Sequence, residues 1–73
     1  LADRSLDYCG LKCPYPILKL SALYPQFKQG EIIEVIADCP TFEKDIKAWA
    51  SKLNKTILSI EKMGNKLKVT IRI

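Results

Sequence analysis

From Phe42 onward the apolar residues fall at Phe42, Ile46, Trp49, Ala50 and Leu53, the i, i+4, i+7, i+8, i+11 series that marks one face of a helix. Glu43, Lys44, Asp45, Lys47 and Lys52 lie off that stripe and read as its solvated face. Near the end of the chain the period drops to two. Leu67, Val69, Ile71 and Ile73 alternate with Lys66, Lys68, Thr70 and Arg72, as in a strand with one buried and one wet face. Residues 56–63 form its hairpin partner through Gly64 and Asn65, a pair that tolerates positive φ. Residues 31–37 are rich in β-branched side chains and read as a buried strand. A shorter strand over residues 5–9 rests on Leu6 and Tyr8 alternating with polar neighbours.

Between the first two strands, Ile17, Leu18, Leu20, Ala22, Leu23 and Tyr24 form an apolar stripe at helical spacing, led by Cys13, Pro14, Tyr15 and Pro16. Proline is accepted in a first helical turn, where its missing N–H had no partner and its fixed φ suits the helix. A helix is therefore expected to begin at Pro14. Pro25 turns Tyr24 away from the α region and Gly30 follows, so it should stop near Leu23 or Tyr24. The order is βαβαββ. A right-handed crossover makes the first two strands parallel, giving an α/β (α+β) two-layer sandwich: a four-stranded mixed sheet with two helices on one face.

A chain of 73 residues is expected to form a single domain over residues 1–73, because it buries only about 60% of its unfolded surface. No repeat, linker or low-complexity tract interrupts it. Glu34 and Asp38 break the longest apolar runs well short of a membrane span. The first residue is Leu1 rather than methionine, which suggests a chain trimmed or cut from a longer one, with a removed leader left open. The net charge of +4 comes from scattered lysines interleaved with eight acids, the usual look of a solvated surface. Nucleic-acid binding is therefore not expected from this pattern, and an acidic protein partner would fit it equally well.

The sequence has no histidine, which removes the commonest general base and the commonest zinc ligand together. Gly10, Gly30 and Gly64 stand alone, so no phosphate-cradling loop is present. The remaining chemistry is that of three cysteines, an odd count that favours reactive thiols in a reducing, cytoplasmic setting over a disulfide framework. Cys13 stands at a strand-to-helix junction, where orphan N–H groups and the positive end of the helix dipole favour thiolate, with Lys12 beside it. Cys39, before Pro40, occupies the matching junction of the second strand and helix. Both junctions should open at one end of the sheet, bringing Cys13 and Cys39 close. Cys9 lies four residues before Cys13, a spacing that is neither a redox nor a zinc-ribbon motif. Either thiol could also be a small core residue. Phe42 and Trp49 read as core, and Tyr15 as an exposed contact for a partner.

The segment D-Y-C-G-L-K-C-P-Y-P over residues 7–16 resembles the start of the TusA/SirA-like sulfur-carrier family, whose shared core is C-P-x-P. Asp7, Gly10, Leu11, Cys13, Pro14, Pro16, Gly30, Glu31, Asp38 and Pro40 fill the positions that the family pattern uses, so the resemblance runs over essentially the whole chain. It implies that Cys13 takes sulfane sulfur as a persulfide from a cysteine desulfurase or similar donor and hands it to a downstream acceptor protein. Pro14 and Pro16 would shape the loop and helix start; Cys39 and Cys9 are candidate auxiliary thiols from their positions alone, not from the resemblance. No organic cofactor or metal is called for. Family uses include transfer-RNA thiolation, molybdenum-cofactor supply and sulfur metabolism. Two departures stand out: Cys9 replaces a basic residue common before the Gly-Leu pair, and Cys39 is inserted between Asp38 and Pro40. Two other readings stay open, a thiol-disulfide redox protein pairing Cys13 with Cys9 or Cys39, and a non-catalytic regulatory or RNA-binding module.

Overall fold

The β-branched segment of the second strand lies at the heart of the sheet, where both of its edges find partners. The computed structural model describes residues 3–12 and 15–73. In order it contains strand β1 (Arg4–Asp7), helix α1 (Tyr15–Leu23) with a 3-10 turn at Tyr24–Gln26, strand β2 (Ile32–Ala37), helix α2 (Phe42–Lys52), and strands β3 (Thr56–Met63) and β4 (Lys66–Arg72). The sheet order is β1-β2-β4-β3. β1 runs parallel to β2, and the other two pairings are antiparallel. The expected βαβαββ order and mixed four-stranded sheet are both present. The expected helix start at Pro14 lies outside the described residues.

Register explains the layering. Ile33, Val35 and Ala37 stand opposite Ile71, Val69 and Leu67, and all six are buried. Phe42, Ile46, Trp49 and Ala50 of α2 and Leu20 of α1 complete the same core. The alternate residues Ile32, Glu34 and Ile36 on β2, opposite Arg72, Thr70 and Lys68, keep more solvent contact, so the helices cover one face. Full burial of a side chain such as Phe42 or Ile33 contributes about 1.5–3 kcal/mol each. The helices are tied to one another as well: Trp49 Nε1 donates to Ser21 Oγ at 3.0 Å, and Trp49 meets the Tyr24 ring edge-on at 5.8 Å.

The strands differ from the sequence expectation at their ends and in one pairing. The first strand ends at Asp7 rather than at residue 9, because the Cys9 N–H turns back onto Asp7 Oδ1 at 3.0 Å and Gly10 takes φ 87°. β2 begins at Ile32 because the Glu31 N–H is held in a turn by the Lys28 carbonyl. Within β3, Ile57 pairs with Ile71 and Ser59 with Thr70, leaving Leu58 as the extra residue of a bulge, exposed to solvent. The bulge is why Ile57 and Ile60, three apart, both pack on the core.

The turns follow their residues. Asn54 adopts φ 57° after α2, and the Lys55 N–H reaches the Ala50 carbonyl at 2.8 Å, the Schellman closure of a helix end. In the β3–β4 hairpin the positive φ falls on Gly64 (62°) and not on Asn65, as in a type II′ turn.

Candidate functional site

The two strand-to-helix junctions meet at the end of the sheet where the parallel strands β1 and β2 finish. The last ladder bond runs from the Tyr8 N–H to the Ile36 carbonyl at 2.7 Å. Beyond it Asp7 caps the Cys9 N–H, and the Gly10 N–H points at the Asp38 carboxylate, 3.0 Å from Oδ1 and 3.2 Å from Oδ2. The Leu11 N–H closes a turn onto the Tyr8 carbonyl at 3.3 Å, and the Tyr15 N–H starts α1 on the Lys12 carbonyl at 2.7 Å. Cys13 and Pro14, the centre of the expected site, lie outside the described residues, and so does the expected approach of Cys13 to Cys39.

On the second junction the Phe42 N–H bonds to the Cys39 carbonyl at 3.1 Å, while Thr41 Oγ1 donates to Asp45 Oδ2 at 3.2 Å. Cys39 is buried in the core cluster with its Sγ 3.6 Å from Thr41 Oγ1. Gly10, Leu11 and Lys12 from the first junction and residues 38–41 from the second line one hollow of about 420 Å³. The segment 38–40 also forms the wall of a neighbouring hollow of about 490 Å³, closed on its other side by the β3–β4 hairpin. The convergence expected of the two junctions is therefore present in their described parts.

Cys9 is half-buried, and its thiol is pushed up from an ordinary value of 9.0. Burial is the largest cause, followed by the hydrogen bond and negative charge of Asp7; Lys66 pulls weakly the other way. Asp7 itself is held below its usual range, first by the Cys9 N–H and then by the Cys9 thiol. Cys9 is thus set up to stay protonated near neutrality, the opposite of an activated nucleophile. Pro16 is fully buried in the first turn of α1, whereas Tyr15 and Leu18 are 56% and 54% exposed on its outer face. Burial likewise raises Tyr8, whose hydroxyl has no hydrogen-bond partner among the described residues. The contact that sequence reasoning missed is Asp38 with Gly10. Both residues belong to the family pattern, but only the parallel register of β1 and β2 brings them together.

The sequence matches the family model described as sulfurtransferase TusA over residues 4–73. The chain belongs to the TusA family. It is 37% identical over 70 residues to "Putative sulfur carrier protein YedF" of Escherichia coli K12, covering 96% of this chain and 91% of that one. A "Putative sulfur carrier protein" of Aquifex aeolicus is 38% identical over 64 residues, which is 88% of this chain and 32% of the relative. This chain therefore spans about a third of the length of the Aquifex protein. A crystal structure of a SirA-like protein from Desulfitobacterium hafniense shares the fold, with a TM-score of 0.77, 23% identity, and coverage of 94% of this chain and 95% of that one. Among the described residues no helix is long and apolar enough to cross a membrane.

Proposed function

We propose that this TusA-family chain is a sulfur carrier whose working group is the Cys13 thiol. The observation that carries the reading is the family match over residues 4–73, which spans the C-P-x-P box at residues 13–16. Supporting it, Cys13 stands in sequence just ahead of α1, whose first turn contains no acid to offset the helix dipole. In the forward step the Cys13 thiolate attacks the outer sulfur of a donor persulfide. A new S–S bond forms on Cys13, the donor's S–S bond breaks, and the donor cysteine leaves as thiolate. In the second step an acceptor thiolate attacks that outer sulfur and Cys13 departs as thiolate, so no net oxidant or reductant is consumed.

The donor that fits is a cysteine desulfurase or another persulfide-bearing protein, working with the carrier in the cytoplasm. The acceptor is a downstream protein in transfer-RNA thiolation, cofactor supply or sulfur metabolism. No acid occurs between Tyr8 and Gly30, and Lys12 and Lys19 lie in that stretch on either side of Tyr15 and Leu18. With Tyr15 and Leu18 exposed beside them, this surface suits a partner with an acidic rim around an apolar patch. Mass spectrometry after incubation with cysteine and a desulfurase is expected to place one added sulfur atom on Cys13. Absence of that adduct on the wild type, or an undiminished adduct in Cys13→Ser, defeats the reading.

One observation favours a second reading: Cys39 and the loop that runs into Cys13 border the same hollow. A reversible thiol-disulfide exchange between these two cysteines would use that arrangement. Mild oxidation followed by peptide mapping tests it. Failure of a reversible Cys13–Cys39 bridge to close removes it.

A further inference from the structure

In a parallel ladder successive N–H groups of one strand bond to successive alternate carbonyls of its neighbour. After the Tyr8 N–H bonds to the Ile36 carbonyl, the next bond in the series would join the Gly10 N–H to the backbone carbonyl of Asp38. The Asp38 side chain takes that place, both carboxylate oxygens lying within 3.2 Å of the Gly10 nitrogen. The backbones of the two strands have by then parted, β1 toward α1 and β2 toward α2. The carboxylate therefore extends the sheet by one rung past the point where the strands end. Gly10 meets it at φ 87°, a conformation that L side chains rarely adopt.

This rung fixes one end of the segment that contains Cys13. The other end is fixed where the Tyr15 N–H bonds to the Lys12 carbonyl at 2.7 Å. A charge-assisted bond to a backbone N–H is among the stronger hydrogen bonds available, and here it spans 28 residues of sequence. Asp38 makes no ion pair among the described residues that would compete for its oxygens.

We propose that Asp38 is a positioning residue for sulfur transfer, acting through Gly10 to hold the loop that presents Cys13. The inference rests on the carrier reading and adds a residue to it. The test measures persulfide formation on the full chain from cysteine and a desulfurase, as kcat and KM, in wild type, Asp38→Ala and Asp38→Asn. Asparagine keeps an oxygen for the Gly10 N–H and discards the charge. Because misplacing a reacting group by about 1 Å can cost up to about 100-fold, Asp38→Ala is expected to lose on the order of tenfold in kcat, with KM changed less than about twofold. Asp38→Asn is expected to recover most of that loss. Hydrogen exchange at the Gly10 amide should be slow in wild type and in Asp38→Asn and fast in Asp38→Ala. If Asp38→Ala does not fold, Asp38→Ser, whose hydroxyl is too short for the same reach, replaces it.

A wild type that loads sulfur while Asp38→Ala loads it equally fast overturns the positioning role alone. Equal losses in the alanine and asparagine variants also overturn it, since charge rather than the hydrogen bond would then be responsible. A wild type that takes no sulfur, with a protected Gly10 amide, sinks the carrier reading and the positioning role with it.

Discussion

The two ends of the sheet use the same device, a carboxylate that accepts backbone N–H groups, and finish it differently. At the end away from the cysteines, Glu31 Oε1 takes the Lys28 N–H at 2.8 Å and Oε2 takes Arg4 Nε at 3.0 Å. The Arg4 guanidinium in turn lies over the Phe27 ring, 5.1 Å from its centroid. Asp3 accepts the Ile32 N–H, and Gly30 and Glu31 exchange backbone bonds with Ile73. At the cysteine end Asp7 and Asp38 also accept N–H groups, yet neither has a cation within ion-pair distance among the described residues. One end closes Glu31 into a pair with Arg4 and gains rigidity. The other leaves its carboxylates committed only to the backbone of a loop that leads to a thiol, so a change there alters presentation of chemistry before it alters stability.

The largest effect is expected where the two ends share a support. Phe42 is fully buried at the start of α2 and belongs to the core beneath both. Phe42→Ala should destabilise the fold by about 3–5 kcal/mol, measured by urea unfolding, and should impair both ends at once. A loss under 1 kcal/mol, by the same scale of about 3–5 kcal/mol for deleting a buried aromatic ring, would mean that the ends are supported independently. The next experiment separates them. Glu31→Ala removes an ion pair and a loop bond from the closed end, so it should lower the thermal midpoint while leaving sulfur loading of Cys13 unchanged. Asp38→Ala should do the reverse. If Glu31→Ala slows loading as much as Asp38→Ala does, the division between a rigid end and a presenting end is wrong.

Most of the sheet and α2 could be read in the sequence because each rests on a periodicity that a single strand or helix expresses by itself. Ile33, Val35, Val69 and Ile71 announce their faces, and Phe42, Ile46 and Trp49 announce theirs. What escaped were features set by contacts between segments. Leu58 reads as an ordinary strand residue until the pairing of Ile57 and Ser59 exposes the bulge. Asp7 ends β1 through its own side chain, a local effect that alternation of Leu6 and Tyr8 conceals. At the site, the second junction was legible, since Cys39 and Pro40 stand just ahead of α2, whereas Cys13 and Pro14 lie outside the described residues. The bond of Gly10 to Asp38 was not legible, because nothing in either residue's neighbourhood specifies a partner 28 positions away.

A smaller effect is expected on the outer face of α1, which belongs to the presenting end but carries no part of its hydrogen bonding. Leu18 is exposed, and Leu18→Glu should leave folding intact. If this face meets the donor, the variant should raise KM for sulfur loading severalfold with kcat little changed, by placing a charge against the partner's apolar patch and within its acidic rim. Leu58→Glu, on the exposed bulge of β3, provides the control. An unchanged KM in Leu18→Glu would move the docking face elsewhere.

The smallest effect tests how the presenting end treats its second thiol. The Cys9 N–H and then the Cys9 thiol lower Asp7, while burial and then the bond to Asp7 raise the thiol, which gives stability two opposite pH limits. Asp7 titrates below its ordinary 3.8 in the fold, so its contribution is complete above that value and is lost as the pH falls through the folded pKa. Cys9 titrates above its ordinary 9.0, so its contribution is complete below 9.0 and is lost as the pH rises through the folded pKa. Asp7→Asn removes the acid limit outright. It removes only part of the alkaline one, because burial, the leading cause at Cys9, remains. Alkylation of Cys9 followed by peptide mass spectrometry across an alkaline pH series should therefore give a midpoint above 9.0 in wild type and a lower midpoint, still above 9.0, in Asp7→Asn. An unmoved midpoint would show that Asp7 serves the loop backbone alone. A wild-type midpoint below 9.0 would make Cys9 a second active thiol and end the distinction drawn between it and Cys13.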